Sequence, residues 1–143
     1  MMKQVKIILV ALMAFLVSNV AMADDTPIPV ESLPAAAKTF VKTNFPKGKI
    51  IYAEKDRSSY ECRLADGTKI EFNRKGNWKK VDRHKTAVPA AIVPKPIQQY
   101  VSSNFKGTVI TKIDKERYGY DVELSNDIDL KFNSQGALIG MDD

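Results

Sequence analysis

The sequence predicts an α+β fold, in which one antiparallel sheet of about eight strands carries two helices packed on one face. The first of three supporting observations is an internal repeat, because residues 33–82 align without a gap on residues 93–142. The second is a change within each copy from a helical hydrophobic period to strict alternation. The third is a pair of turn signals between the alternating segments. Each copy therefore predicts one helix followed by four strands.

The repeat defines the expected organisation of the chain. Identical residues 60 positions apart fall mainly on hydrophobic and turn positions, such as Asn44-Phe45 with Asn104-Phe105 and Gly76 with Gly136. A unit of about 60 residues buries too little apolar surface to be stable alone, so the copies should share one core. We expect a single domain over residues 24–143, with repeat one at 28–82, a connector at 83–92 and repeat two at 93–143.

Each copy opens with a helix signal. Ser32 can cap the first helix, and Pro34 falls in its first turn, where a missing N–H costs nothing. In the second copy Pro94 and Pro96 confine the regular helix to residues after about 95, although the segment from Val88 could begin a helix that then breaks. The buried positions recur at helical spacing and include Ala37, Val41 and Phe45 in copy one and Ile97, Val101 and Phe105 in copy two.

The strands follow from alternation and turn chemistry. Tyr60, Cys62 and Leu64 alternate with charged residues, as in a half-buried strand. Asp66-Gly67 indicates a tight hairpin, and residues 73–76 (Asn-Arg-Lys-Gly) favour a type I turn. The predicted sheet therefore has one apolar face for the helices and one charged face for solvent.

Residues 1–23 predict a cleavable signal peptide. Lys3 and Lys6 precede an apolar run, Ile7 to Val17, and the small-residue site Ala21-Met22-Ala23 follows. The run is shorter than the roughly 20 residues that cross a bilayer. We expect cleavage after Ala23 and a periplasmic or secreted mature protein without a membrane span.

Composition and motif content argue against catalysis and metal binding. The hydrophobic content of 44% is ordinary for a folded domain, while a single Cys excludes a disulfide within the chain. Cys62 reads as a small buried residue, and His84 lies in the basic connector, so the two cannot form a structural zinc site. The carboxylates, among them Asp121 and Glu123, read as solvated surface charge. We expect no catalytic residue, no metal and no cofactor, with a weak calcium site at the turn of residues 125–127 left open.

Charge distribution supplies the candidate contact residues. Residues 24–86 carry 14 basic and 9 acidic side chains, a net of +5, and residues 87–143 carry 6 basic and 8 acidic, a net of −2. A basic cluster surrounds Trp78, an aromatic residue of a type that often anchors contacts. The predicted partner-binding residues are Trp78, Arg63, Lys69 and Lys79. The competing interpretation places Trp78 in the core, because its counterpart is Leu138.

Several short motifs follow one another along the chain: Leu33-Pro34-Ala35-Ala36, Asn44-Phe45-Pro46, Tyr60-Glu61-Cys62-Arg63-Leu64, Asp66-Gly67, Ile70-Glu71-Phe72-Asn73 and Gly76-Asn77-Trp78. Their order and duplication resemble the PepSY-like family of beta-lactamase-inhibitor-like secreted proteins. The resemblance covers nearly the whole mature chain in both copies. It implies tandem helix-plus-four-strand units in one curved antiparallel sheet, as in the beta-lactamase inhibitory protein fold, a secreted or periplasmic location and no catalysis. PepSY domains occur in protease propeptides, which adds restraint of an envelope peptidase as a narrower hypothesis.

We therefore expect a non-catalytic binding module that presents a polar sheet face to an unknown protein or cell-envelope component. The alternative is a small-molecule or polyanion carrier that uses the cleft between the copies. Nucleic acid is not an expected partner, because the predicted address is secretory. Inhibition of a beta-lactamase is disfavoured, because a shared fold does not transfer a contact surface. The oligomeric state is left open.

Overall fold

The computed structural model describes residues 25–143. The predicted signal peptide at 1–23 lies outside the described residues and stays a prediction. The described chain is an α+β fold with one open antiparallel sheet and two α-helices. The helices are α1 (Ala35–Asn44) and α2 (Lys95–Asn104). The strands are β1 (Thr26–Pro27), β2 (Ile50–Lys55), β3 (Ser59–Leu64), β4 (Lys69–Asn73), β5 (Trp78–Asp82), β6 (Ile110–Glu116), β7 (Gly119–Leu124), β8 (Asp129–Asn133) and β9 (Leu138–Asp142).

The sheet has nine strands within residues 25–143, where the sequence predicted about eight. The additional strand is β1, in which Thr26 pairs with Lys55 and Pro27 pairs with Glu54. A two-residue strand that contains a proline has no alternation, so its pattern could not be recognised in the sequence.

The strands follow one another in sequence order, each antiparallel to the next. The two halves of the chain meet where β5 pairs with β6, with Val81 opposite Ile113. Both side chains are fully buried. The halves therefore continue a single sheet and share its core.

Both helices begin directly after a proline. Leu33 and Val93 are extended, as expected for residues that precede proline, so each helix starts at the residue after Pro34 or Pro94. The prediction that Ser32 caps α1 is wrong, because the N-cap position is Pro34 and Ser32 ends a separate 3-10 turn over Val30–Ser32. The corresponding turn in the second half is Ala90–Ile92, so α2 does not begin early and break.

One cluster of buried apolar residues contains members of both helices and of seven strands. The ring of Phe40 in α1 lies edge-on to Phe72 at 5.8 Å, and Tyr100 in α2 lies edge-on to Phe132 at 5.6 Å. These two pairs occupy matching positions, 60 residues apart, and connect each helix to the strands of its own half.

The predicted turns form with hydrogen bonds of their own. The Gly76 N–H donates to the Asn73 carbonyl over 3.0 Å, and the Asn73 side-chain oxygen accepts from the backbone of Lys75 and Asn77. In the hairpin of the second half, Asp127 adopts the left-handed conformation that Gly67 adopts in the first. Asp tolerates this conformation better than most residues, so the hairpin survives the loss of glycine.

Candidate binding face

One face of the sheet carries two continuous rows of polar side chains, which we call the open face. Along the strands these residues alternate with residues of the opposite, apolar face, such as Cys62 and Ile113. The central row is Glu54, Glu61, Glu71, Lys80, Asp114, Asp121 and Lys131. The outer row is Tyr52, Arg63, Lys69, Asp82, Lys112, Glu123, Asp129 and Asp142.

The central row begins with three glutamates on adjacent strands, which we call the glutamate ladder. Glu54 lies opposite Glu61, and Glu61 lies opposite Glu71. Like charges directly opposite each other destabilise a sheet. Together with Asp25 and Asp56, these glutamates line a depression of about 200 Å³. The ladder is therefore a concentration of negative charge that the fold does not require.

Glu54 shows the electrostatic cost of this arrangement. It is buried, with 9% of its surface exposed. Burial raises the pKa of its carboxyl group, and the charges of Glu61 and Asp25 raise it further. Arg63 offsets part of the repulsion, because its Nε donates to Glu61 over 3.1 Å and its Nη2 lies 3.9 Å from Glu54.

The middle of the central row holds a lysine between two carboxylates. Lys80 Nζ lies 3.7 Å from Glu71 and 3.9 Å from Asp114. The other oxygen of Asp114, Oδ1, is buried and accepts no hydrogen bond from any residue of the described chain. Burial raises the pKa of the Asp114 carboxyl group. A second depression, of about 140 Å³, adjoins it and includes Asp121, Asp129 and Asp142 in its lining.

The structure separates the four predicted contact residues into two pairs. Arg63 and Lys69 lie opposite each other in the outer row of the open face. Trp78 and Lys79 instead line a groove of about 410 Å³ beside Phe40, which we call the tryptophan groove. Their part in binding stays a prediction.

The tryptophan groove contains residues of both halves. Trp78 is half-buried, with its ring 6.3 Å from Phe40. Lys115, from the second half, places its Nζ 4.1 Å from the centroid of the Trp78 ring. Burial lowers the pKa of Lys115. The carrier alternative predicted from the sequence would be tested in this groove.

Sequence reasoning treated the carboxylates of the open face as separate surface charges and missed the glutamate ladder. The reason lies in the length of the hairpin loop. A two-residue turn at Asp66-Gly67 would place Glu61 opposite Phe72. The observed loop has three residues, 65–67, because Leu64 pairs with Thr68, and this register places Glu61 opposite Glu71.

The other candidate groups occupy ordinary positions. Cys62 is fully buried, and burial raises the pKa of its thiol to about 12. The His84 ring is exposed, with Nε2 3.1 Å from the Gly67 carbonyl. Within residues 25–143, no three His, Cys, Asp or Glu side chains are grouped closely enough to hold a metal ion. None of the helices in this part of the chain is long and apolar enough to span a membrane.

Comparison with known families identifies the class of protein. A family model described as "Putative beta-lactamase-inhibitor-like, PepSY-like" matches residues 20–66 and 58–140. The chain therefore belongs to the PepSY-like family, as the sequence motifs suggested. A search of curated proteins found no significant match.

Solved structures agree with this assignment. A protein of Bacteroides thetaiotaomicron, described as a "putative calcium-regulated periplasmic protein", is 40% identical with a TM-score of 0.80, over 84% of this chain and 98% of its own. A Bacteroides vulgatus protein described as a "putative periplasmic protein of unknown function" is 31% identical with a TM-score of 0.80, over 83% of this chain and 99% of its own. A second Bacteroides vulgatus protein, also described as a "putative periplasmic protein", is 39% identical with a TM-score of 0.79, over 84% of this chain and 98% of its own. All three relatives are thus described as putative periplasmic proteins.

Proposed function

We propose that this chain is a periplasmic, non-catalytic binding module that uses the open face to contact a protein partner. The glutamate ladder carries the proposal. Three stacked glutamates cost stability. Arg63 lies near Glu54 and Glu61, and Lys80 divides its charge between Glu71 and Asp114, so the nearby cations offset only part of the repulsion. An arrangement that opposes folding and faces outward is best explained by a partner that supplies positive charge.

The proposal includes a periplasmic location and an architecture of two duplicated units. The predicted signal peptide at 1–23 and the periplasmic descriptions of the relatives together support export. The equal spacing of the helices and strands in the two halves supports an origin by duplication, with both helices covering the apolar face. Restraint of an envelope peptidase has support only from the family resemblance and is the narrower version of the proposal.

The test compares partner capture with stability. Glu61→Gln and Glu71→Gln keep the side-chain shape and remove charge repulsion. The ion pairs that they lose, with Arg63 and Lys80, are partly exposed and contribute little, so both variants should melt at a higher temperature than wild type. Both should retain less of the partner captured from periplasmic extract. A residue with a merely structural role would not combine a gain in stability with a loss of binding.

Glu31→Gln is the matched control, since Glu31 is an exposed glutamate of the 3-10 turn before α1 and lies outside both polar rows. It should leave capture unchanged. Equal retention of every partner by the wild type, the ladder variants and the control would remove the open face from the proposal.

A second candidate function is control of this face by calcium. The depression at the ladder is lined by five carboxylates, and the relative that is 40% identical is described as calcium-regulated. Carboxylate oxygens are the ligands that Ca²⁺ prefers. The described side chains form no ready-made ligand set, so binding would draw the glutamates together and relieve their repulsion.

Calcium binding is measured by isothermal titration, with magnesium as the competing ion. We expect Ca²⁺ to bind with a dissociation constant of about 1 mM or below and to raise the melting temperature. Glu54→Gln should weaken binding, whereas Asp129→Asn in the second depression should not. Equal effects of the two substitutions, or equal responses to calcium and magnesium, would contradict a calcium site at the ladder.

A further inference from the structure

The two edges of the sheet are finished in different ways. At one edge, β1 covers β2, and the Ile28 N–H donates to the Ala53 carbonyl over 3.0 Å. Pro27 and Pro29 have no N–H and cannot support another strand. Prolines and very short edge strands are devices that prevent sheets from joining edge to edge.

The other edge, β9, lacks these devices. Within residues 25–143 its only strand neighbour is β8. Its sequence, LIGMD, contains neither lysine nor proline. Ile139 is 55% exposed and Met141 is 57% exposed, so two large apolar side chains of this edge strand face solvent.

The first half of the protein contains the counterpart of β9, and there another strand pairs with it. β5 lies 60 residues before β9, and Val81 is the counterpart of Met141. Val81 is fully buried because β6 pairs with β5 and places Ile113 opposite it. Met141 occupies the same position in β9 and is exposed because no strand of the described chain follows it.

The β5–β6 pair also shows the charge that a covering strand would carry. Asp82 lies opposite Lys112 in that pair. Its counterpart in β9 is Asp142, whose strand neighbour in β8 is another acid, Asp129. A base opposite Asp142 would relieve this repulsion, as Lys112 provides a positive charge beside Asp82.

We propose that β9 is a docking edge for an extended segment of a partner protein, added antiparallel as a further strand. The segment carries an apolar residue opposite Met141 and a lysine or arginine opposite Asp142. Main-chain hydrogen bonds supply affinity in this mode, and alternate side chains supply specificity. The proposal goes beyond the open-face function, because it concerns the edge of the sheet.

A second copy of this chain fits the edge less well. Addition of β9 onto β2 of another copy requires β1 to be displaced. Antiparallel pairing of two β9 strands about Gly140 would place Asp142 opposite Leu138, which leaves the acid without a base. A partner strand with a basic residue needs no displacement of β1 and places a positive charge opposite Asp142.

The probe is a fluorescent peptide with the sequence TVITKIDKE, which repeats residues 108–116 and thus the strand that covers β5. We expect saturable binding by fluorescence anisotropy. Met141→Lys should weaken binding about tenfold, because it places a charge against the apolar position. A peptide in which the residue matching Lys112 is glutamate should also bind more weakly to the wild type.

Ile51→Lys is the matched control. Ile51 is 59% exposed, as Met141 is, but it belongs to β2, seven strands away from β9 in the sheet. Ile51→Lys and Glu61→Gln should leave peptide affinity unchanged, which separates this proposal from the open-face function. Peptide-induced shifts of backbone amide signals should centre on residues 138–142.

Several results would overturn the proposal. They are the absence of saturable binding at about 1 mM peptide, equal losses in Met141→Lys and Ile51→Lys, and amide shifts centred on β5 and β6. Sedimentation that shows a dimer abolished by Met141→Lys would assign the edge to a second copy and would likewise overturn the partner-strand proposal.

Discussion

At the scale of single residues, Gly119 shows how closely the backbone of one strand approaches its neighbour. Its φ of +148° lies in a region that side chains disfavour, and a Cβ there would lie 2.2 Å from the carbonyl oxygen of Phe132. Backbone atoms cannot move aside as the end of a flexible side chain can. Gly119 is therefore required both for its conformation and for its lack of volume.

We expect Gly119→Ala to lower the free energy of unfolding by more than about 3 kcal/mol, measured by urea denaturation. Gly107→Ala is the control. Gly107 also has a positive φ, of +84°, but a Cβ there would meet no atom within 4 Å. Its substitution should cost only the conformational strain, about 1 kcal/mol. Similar losses in the two variants would show that the close approach to Phe132 is not important.

Glu54 predicts an unusual dependence of stability on pH. Burial, followed by the charges of Glu61 and Asp25, raises its pKa in the folded protein above the ordinary 4.5. A raised carboxyl pKa means that its contribution to stability is present below the ordinary value and lost as the pH rises through the folded value. Glu54→Gln should therefore match the wild type near pH 3 and exceed its unfolding free energy at pH 7.

Asp56 is the control of opposite sign. Its pKa is lowered, first by the hydrogen bond from the Ser58 backbone and then by the Ser59 hydroxyl. Its contribution is present at pH 7 and is lost as the pH falls through the lowered value. Asp56→Asn should consequently be less stable than the wild type at pH 7. If both variants shifted in the same direction at pH 7, the electrostatic account of the ladder would be wrong.

At the scale of elements, Arg83 joins the connector to the hairpin of the first half. Its guanidinium donates to Asp66 over 2.8 Å, to the Thr68 hydroxyl over 3.2 Å and to the Ala87 carbonyl over 3.0 Å. It also lies over the ring of Phe45, 5.3 Å from the centroid. One planar group thus holds together the hairpin after β3, the end of α1 and the segment after β5.

Arg83→Lys keeps the charge but cannot make these three hydrogen bonds at once, so we expect a loss of about 1–2 kcal/mol in urea denaturation. Lys85→Ala, which removes an exposed base two residues further on, should change stability by less than about 0.5 kcal/mol. Wild-type stability in Arg83→Lys would show that charge alone, and not the fork geometry, fixes the connector.

At the scale of the whole molecule, β5 pairs with β6 and joins the two halves in one sheet, so we expect them to unfold as one cooperative unit. Val81→Ala removes buried volume at this junction, and we expect a loss of about 2 kcal/mol with unfolding still in a single transition. Met141→Ala makes a truncation at the matching position of β9, where the side chain is 57% exposed, and should cost less than about 0.5 kcal/mol. Two separate transitions in calorimetry, or equal losses in the two variants, would contradict a shared core.

The amino-acid sequence by itself determined the helices, the strands after each helix and the turns. Apolar spacing, proline position and turn residues such as Asn73 and Gly76 act within a few neighbours, so these elements were predictable. The same local patterns could not reveal the two-residue strand β1, because its stability depends on the edge of β2 that it meets.

Only the tertiary structure decided which of the predicted elements and charges became neighbours. It separated Trp78 from Arg63 and aligned Glu54 with Glu61 and Glu71. It also buried Val81 while leaving its repeat counterpart Met141 exposed. The physical reason is that burial and electrostatic repulsion depend on strand register and on what covers each edge, and neither is encoded in a residue's immediate neighbours.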